Sequence, residues 1–212
     1  MKPNVNNAYA SIQAISLAVF FLSQVTSSWS EEIVIPNVSR MADGPIISQN
    51  MDDRMGGNVQ GPSLIRVPDW IENPLGKYYL YFADHRGTYI RLAYADDLSG
   101  PWQTHEPGTL QLDQSHFPTS LPPNQPDTDY PQYAHIASPD VHVRNDLRQI
   151  VMYVHGQDPG KGVGRQVTRL ATSKDGINFA GEPEVLGRPY FRVMQYKDYY
   201  YALAMPGYLY RS

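Results

Sequence analysis

Two histidines end similar strand-like segments of the chain. His85 closes YYLYFADH at 78–85, and His155 closes QIVMYVH at 149–155. Histidines at equivalent places of two similar segments are predicted to open on the same side of the fold. A neutral imidazole can donate a hydrogen bond to a hydroxyl group, act as a general acid or hold a cation. The alternative is that each ring only caps the end of its strand.

A third histidine, His135, ends a proline-rich stretch at 113–135. The prolines exclude a helix or a central strand there, and long loops in compact domains are often functional. The stretch also carries aromatic residues, among them Phe117 and Tyr133. These rings predict either stacking on a sugar or packing that orders the loop itself.

Two arginines and a tyrosine lie together near the end of the chain, at Arg188, Tyr190 and Arg192. A guanidinium group presents a planar fork to a carboxylate or a pair of hydroxyl groups. The three residues are therefore predicted to clamp a sugar. The alternative is an ion pair with a nearby acid, Asp140 or Glu184.

Charge and composition exclude several classes of protein. The 212 residues include 17 Lys and Arg against 21 Asp and Glu, which gives a formal charge of −4. Nucleic acid is excluded as a partner, because phosphate contacts need clustered basic side chains. The absence of cysteine excludes disulfide frameworks, thiolate metal sites and cysteine nucleophiles. HExxH and GxSxG motifs are also absent, so no cofactor and no defined metal site is predicted.

The first thirty residues have the composition of a secretory signal. Lys2 precedes an apolar run at 14–22, and small residues up to Ser30 follow. We therefore predict a signal peptide at 1–30 and a folded domain at 31–212. The apolar run is short for a membrane span, so we expect a secreted or periplasmic protein that no membrane holds after cleavage. A weak membrane anchor is the alternative.

An internal repeat organises the rest of the chain. Three segments that carry a proline, GPSLIRV, SPDVHV and RPYFRV, are each followed by a second β-like run. In the first two units a third run leads into an acidic Gly turn and an aromatic residue, in YIRLAYADDLSGPW and VTRLATSKDGINF. A unit of four short strands predicts the blades of a β-propeller. The predicted blades are about 61–103, 138–180 and an incomplete 188–212.

Strand direction alternates along such a blade, so the loops divide between two faces. Loops that lead into the inner strands share one face with loops that join the second and third strands. Asn58 is assigned to the rim of this face, which we call the mouth. The predicted mouth loops are 52–62, 84–87, 104–138, 156–165 and 181–188.

The third unit ends at YLYRS, residues 208–212, before an acidic turn or a fourth strand. Two blades and part of a third cannot close a ring, and they leave an unpaired edge. We therefore expect a truncated product. The alternative is a short protein that closes by oligomerising, and no oligomeric state is predicted.

The proline segments, with YYLYFADH and RLAYADDLSGPW, resemble the propellers of glycoside hydrolase family 43 and its fructosidase-like relatives. The resemblance covers about residues 50–212. It implies an all-β fold, a five-bladed β-propeller of four-stranded antiparallel blades. It also implies cleavage of glycosidic bonds by carboxyl groups at the mouth. In that family the first two acids precede a proline at the start of an inner strand.

The family's acids are missing from those positions here. The residues before the repeated prolines are Gly61, Ser138 and Arg188. If the chain hydrolyses glycosidic bonds as the resemblance implies, nearby acids are expected to supply the catalytic carboxyl groups. Asp53 is predicted to be the base or nucleophile, Asp140 the modulator and Glu182 the acid. A carboxylate that is hydrogen bonded between blades is the alternative for Asp140.

The leading hypothesis is an exported glycosidase-like protein that acts on a polysaccharide or oligosaccharide. The residues predicted to bind the sugar are Asn58, His85, His135, His155, Arg188, Tyr190 and Arg192. A carbohydrate-binding propeller without catalysis is the second hypothesis, because the family's acids are absent. The third is a fragment without activity.

Overall fold

The computed structural model describes residues 36–41, 44–121, 133–158 and 165–212. The chain divides into two units, Met1–Arg40 and Met41–Ser212. Residues 36–40 of the first unit are exposed and have no regular secondary structure. The predicted signal peptide at 1–30 lies outside the described residues, so it stays a prediction. No helix in the described part of the chain is long and apolar enough to cross a membrane.

The first sheet, which we call blade 1, contains four antiparallel strands paired in chain order. They are β1 (Gln60–Arg66), β2 (Tyr78–Ala83), β3 (Tyr89–Ala95) and β4 (Gln103–Gln111). A short 3-10 helix at Asp53–Met55 precedes them.

The second and third sheets follow the same plan. Blade 2 contains β5 (Ile136–Arg144), β6 (Gln149–Gln157), β7 (Gln166–Ser173) and β8 (Ala180–Gly181). Blade 3 contains β9 (Arg192–Tyr196), β10 (Tyr199–Ala204) and β11 (Tyr208–Arg211). Both are antiparallel and paired in chain order. The predicted all-β fold of antiparallel blades is confirmed, with four strands in blades 1 and 2 and three in blade 3, and these sheets are successive blades of a β-propeller.

Alternating side chains of β2 explain why blade 1 is buried on both faces. Tyr79 and Tyr81 belong to the large core that blade 1 shares with blade 2. Leu80 and Phe82 point to the opposite face, where they join a smaller cluster with Met55. Successive residues of a strand face opposite sides of the sheet, so an uninterrupted apolar run suits a strand covered on both faces.

Blade 3 is covered on one face only. Ala202 and Ala204 of β10 pack with Phe191 and with Tyr153 of blade 2. Apolar side chains on the other face, among them Met194, Leu203 and Leu209, are exposed. The described chain therefore buries the face of blade 3 that turns towards blade 2.

The residues before the first two repeated prolines occupy matching irregularities. The register shifts between Gln60 and Ser63 in β1 and between Ala137 and Asp140 in β5. Gly61 and Ser138 both have a positive φ there, at 62° and 49°. Bulges of this kind re-aim neighbouring side chains and are common beside functional sites. The bulges therefore turn both inner strands at the same level of the fold.

Candidate functional site

Three imidazoles meet beside the bulges, and we call His85, His135 and His155 the histidine cluster. The ring centroids of His85 and His135 are 5.6 Å apart, and those of His135 and His155 are 5.7 Å apart. One possible ligand nitrogen from each ring lies within 4.8 Å of the other two. The structure thus brings His85 and His155 together with the histidine of the long loop. The prediction that His85 and His155 occupy equivalent places is wrong, because Gln60 of the first unit is paired with Ala83, whereas its counterpart Ala137 is paired with His155.

Neighbouring strands of two blades position the cluster. His85 follows the end of β2 in blade 1, whereas His155 lies on β6 in blade 2. His155 is paired in register with Ala137 of β5, two residues beyond His135. The inner strands β1 and β5 hold the two blades together here, because the Val141 amide donates to the Ser63 hydroxyl oxygen at 2.8 Å.

Only some ring nitrogens of the cluster have a hydrogen-bond partner in the described part of the chain. The Nδ1 atom of His135 lies 2.9 Å from the Tyr133 carbonyl oxygen. A carbonyl oxygen only accepts, so Nδ1 carries the proton and Nε2 is bare. That Nε2 atom and both ring nitrogens of His155 are buried and have no hydrogen-bond partner in the described part of the chain. Each buried polar group without a partner costs about 1–3 kcal/mol, so a ligand for these atoms would stabilise the fold.

Burial also controls the charge of the cluster. His135 and His155 are each only 1% exposed. Burial lowers the pKa of His135, and the bond to the Tyr133 carbonyl opposes this shift. Burial lowers the pKa of His155 well below its usual value, and the neighbouring imidazoles lower it further. Burial therefore disfavours the protonated form of both rings.

Tyrosine rings surround the cluster. The Tyr190 ring centroid lies 4.0 Å from that of His155, and the Tyr133 centroid lies 5.1 Å from that of His135. Both tyrosines are partly exposed, as is His85. The mouth therefore presents flat rings to solvent above two buried imidazoles.

Asn58 holds the backbone of the cluster in place. Its Oδ1 atom accepts a hydrogen bond from the His85 amide at 3.0 Å. One residue earlier, the Gly57 amide donates to the Asp84 carboxylate at 2.9 Å. Asp84 is buried and also accepts from the Arg86 amide. Asn58 and Asp84 thus fix the turn that carries His85.

The two predicted arginines differ in position. Arg192 reaches back to the bulge of β5, where its Nη1 atom lies 3.4 Å from the Ser138 and Pro139 carbonyl oxygens. Arg188 packs on Tyr208, with its guanidinium carbon 4.3 Å from the ring centroid. It lines a separate pocket with residues that include Tyr210. Arg192 therefore borders the cluster, and Arg188 does not touch it.

The structure does not gather the three predicted catalytic acids at the cluster. Asp53 is exposed on the 3-10 helix Asp53–Met55. Glu182 is exposed just after β8, the outermost strand of blade 2, whereas Asp140 lies on the innermost strand. Three strand spacings separate the backbones of Asp140 and Glu182, or about 14 Å. Glycosidase carboxyl pairs are about 5–10 Å apart, so the catalytic roles of these acids stay predictions.

Asp140 joins two blades. Its Oδ2 atom accepts a hydrogen bond from the Val193 amide of β9 at 2.7 Å. The same oxygen lies 2.9 Å from Nε2 of His142. The carboxylate is therefore hydrogen bonded between blades 2 and 3.

Replacing Asp140 by alanine is expected to loosen blade 3. The Val193 amide would lose a charged acceptor, which costs about 1–3 kcal/mol. Relative to the unmodified chain, the variant should then show a larger increase in the hydrogen exchange rate in β9 and β10 than in β2. Asp140→Asn keeps an acceptor oxygen and should restore most of the protection. Equal exchange in β9 in all three proteins would contradict this role.

The fold described above is that of a β-propeller. No protein-family model matches the chain. It is similar to the uncharacterized protein R118 of Acanthamoeba polyphaga mimivirus, at 36% identity over 73% of this chain and 44% of that protein. The chain thus spans less than half the length of this relative.

Solved structures similar to the chain include family 43 glycoside hydrolases. An α-L-arabinofuranosidase from Clostridium thermocellum is 20% identical, with a TM-score of 0.45, over 71% of this chain and 45% of its own. A GH43 enzyme from Xanthomonas citri, complexed with xylotriose, is 13% identical, with a TM-score of 0.49, over 75% of this chain and 41% of its own. The resemblance to family 43 is a resemblance of fold. The antiparallel blades of the chain itself display that fold.

Sequence reasoning missed two parts of the site. It did not assign a role to Asp84, although the acid directly precedes His85 in the sequence. It also did not place His135 against His85 and His155. A polar residue at the end of a buried strand was the available signal for Asp84, whereas no local pattern marks the contact that His135 makes.

Proposed function

We propose that the chain binds a carbohydrate at the mouth formed by blades 1 and 2. The observation that carries this proposal is the set of partly exposed rings of Tyr133, Tyr190 and His85 around the histidine cluster. Aromatic rings offer flat apolar faces to the C–H face of a sugar. An imidazole can hydrogen bond to sugar hydroxyl groups as donor or acceptor.

The arrangement of acids supports binding over hydrolysis. A glycosidase needs two carboxyl groups that flank the bond to be cut. Asp84, the acid next to the cluster, is already occupied by two backbone amides and lies 3.8 Å from the buried Arg91. Asp140 is occupied by the Val193 amide. Recognition of a poly- or oligosaccharide without cleavage is the function this geometry supports best.

Calorimetric titration of the full chain tests the proposal. Xylotriose is the first probe, followed by a panel of arabinose- and galactose-containing oligosaccharides. Tyr190→Ala is expected to weaken binding of the best probe by about tenfold, since a stacked ring contributes about 1.4 kcal/mol. Reducing-sugar release is measured in the same samples and is expected to be absent.

Tyr196→Ala is the matched control, because Tyr196 is 59% exposed on β9 of blade 3. It should bind the probe as the unmodified chain does. Equal losses in Tyr190→Ala and Tyr196→Ala, or no binding across the panel, would overturn the proposal. Release of reducing sugar would replace it with hydrolysis.

A further inference from the structure

We propose that the histidine cluster binds a divalent first-row transition-metal ion of the Zn²⁺ type. The ligands are one ring nitrogen each from His85, His135 and His155. This inference does not depend on carbohydrate binding, and it rests on the geometry and hydrogen bonding of the three rings.

The spacing of the ring nitrogens suits one shared ion. They lie within 4.8 Å of one another. Bonds of about 2.1 Å to a tetrahedral zinc ion place the nitrogens about 3.4 Å apart. The nitrogens therefore need to approach one another by at most about 1.4 Å around the ion. His85 is partly exposed and follows the end of β2, so its side chain has room for this movement.

His135 is oriented as metal-ligating histidines are. Its Nδ1–H group donates to the Tyr133 carbonyl oxygen at 2.9 Å. Metal-bound histidines almost always donate the other ring N–H to a carboxylate, a backbone carbonyl or water, which fixes the tautomer. The bare Nε2 atom is buried and has no partner in the described part of the chain.

The burial of His155 also points to a ligand. Its side chain is 1% exposed, and neither ring nitrogen has a hydrogen-bond partner among the described residues. A buried polar group is ordinarily hydrogen bonded, and exceptions point to an ion or water at the site. Two histidines of the cluster thus supply buried, unpartnered nitrogen atoms.

The donor set selects the class of metal. Imidazole nitrogens suit Zn, Cu, Ni and Fe, whereas Ca²⁺ and Mg²⁺ prefer oxygen ligands. Three protein ligands leave one position of a tetrahedral ion open for water or for a hydroxyl group of a ligand. His85 is partly exposed, and its ring centroid lies 6.4 Å from that of Tyr133 and 6.5 Å from that of Tyr190, so we expect the open position on this side of the cluster.

Metal titration of the full chain tests this site without any carbohydrate. The purified protein is stripped with a chelator, and Zn²⁺ binding is measured by calorimetry and by elemental analysis. We expect one ion per chain, together with a rise in the melting temperature as Zn²⁺ is added. Co²⁺ should give the intense visible absorption of a tetrahedral nitrogen site, and Ca²⁺ should not compete.

His85→Ala and His135→Ala are expected to weaken Zn²⁺ binding by at least about 100-fold, since losing only a supporting partner of a ligand costs 10–100-fold. His105→Ala is the control, because His105 lies on β4 outside the cluster. Circular dichroism of each variant verifies that the sheets are folded. The proposal fails if the folded chain binds no stoichiometric Zn²⁺, or if both cluster variants bind it like His105→Ala. A positive zinc result with no sugar binding would overturn only the proposed function.

Discussion

Replacing Tyr81 by alanine is expected to lower the free energy of unfolding by about 3–5 kcal/mol, the usual loss for a large buried aromatic side chain. Tyr81 is fully buried on β2. Its ring packs edge-on against Phe179 of the neighbouring repeat unit, with centroids 5.9 Å apart. Its hydroxyl donates to the Gly176 carbonyl oxygen at 2.7 Å. The substitution thus opens a cavity between blades 1 and 2 and removes a hydrogen bond between them.

Urea denaturation of the full chain measures this effect, with two further variants as controls. Tyr81→Phe keeps the ring and leaves the Gly176 carbonyl without its donor, so a loss of about 1–3 kcal/mol is expected. Tyr199→Ala removes an exposed tyrosine of β10 and should change stability by less than about 0.5 kcal/mol. If Tyr81→Ala were no less stable than Tyr199→Ala, Tyr81 would not join the two blades.

Gly61→Ala is expected to destabilise the fold by about 2–5 kcal/mol, from left-handed backbone strain and overpacking together. Gly61 has a φ of 62°, which disfavours any residue with a Cβ atom. A Cβ atom at this position would also lie 2.7 Å from the Cα atom of Ser138. That contact is with backbone of β5, so the inner strands must move apart to relieve it.

Gly57→Ala is the matched control in the same part of the chain. A Cβ atom on Gly57 would meet nothing within 4 Å. This variant should unfold within about 0.5 kcal/mol of the unmodified chain, as surface substitutions usually do. Coincident urea transitions of Gly61→Ala and Gly57→Ala would show that β1 and β5 are not in close contact.

The strands and their blade arrangement were predictable because they depend on local patterns. The run YYLYFA consists of apolar and aromatic residues that favour a strand buried on both faces. The proline segments, acidic turns and closing aromatics recur, so the strands assigned in one unit predict the strands of the next. The structure adds matching bulges at Gly61 and Ser138, which were not predicted although they lie at corresponding places of the repeat.

The site was predictable only in part. The sequence predicted that His85 and His155 open on the same side, and the structure brings both into one cluster, although the two are not equivalent in the strand register. The position of His135 was beyond sequence reasoning, because it depends on how the chain returns to β5 beside β6. The same limit applies to Arg188, whose long side chain packs on Tyr208 rather than on the cluster.

The sequence by itself determined the all-β class, the repeated unit and the types of side chain available at the mouth. Only the tertiary structure decided which of those side chains are free to bind a ligand. The Asp140 carboxylate is occupied by the amide of Val193, a residue 53 positions away. The ring nitrogens of His155, by contrast, have no partner among the described residues. Hydrogen-bond partners come from segments that are distant in sequence, so packing determines which polar groups remain available.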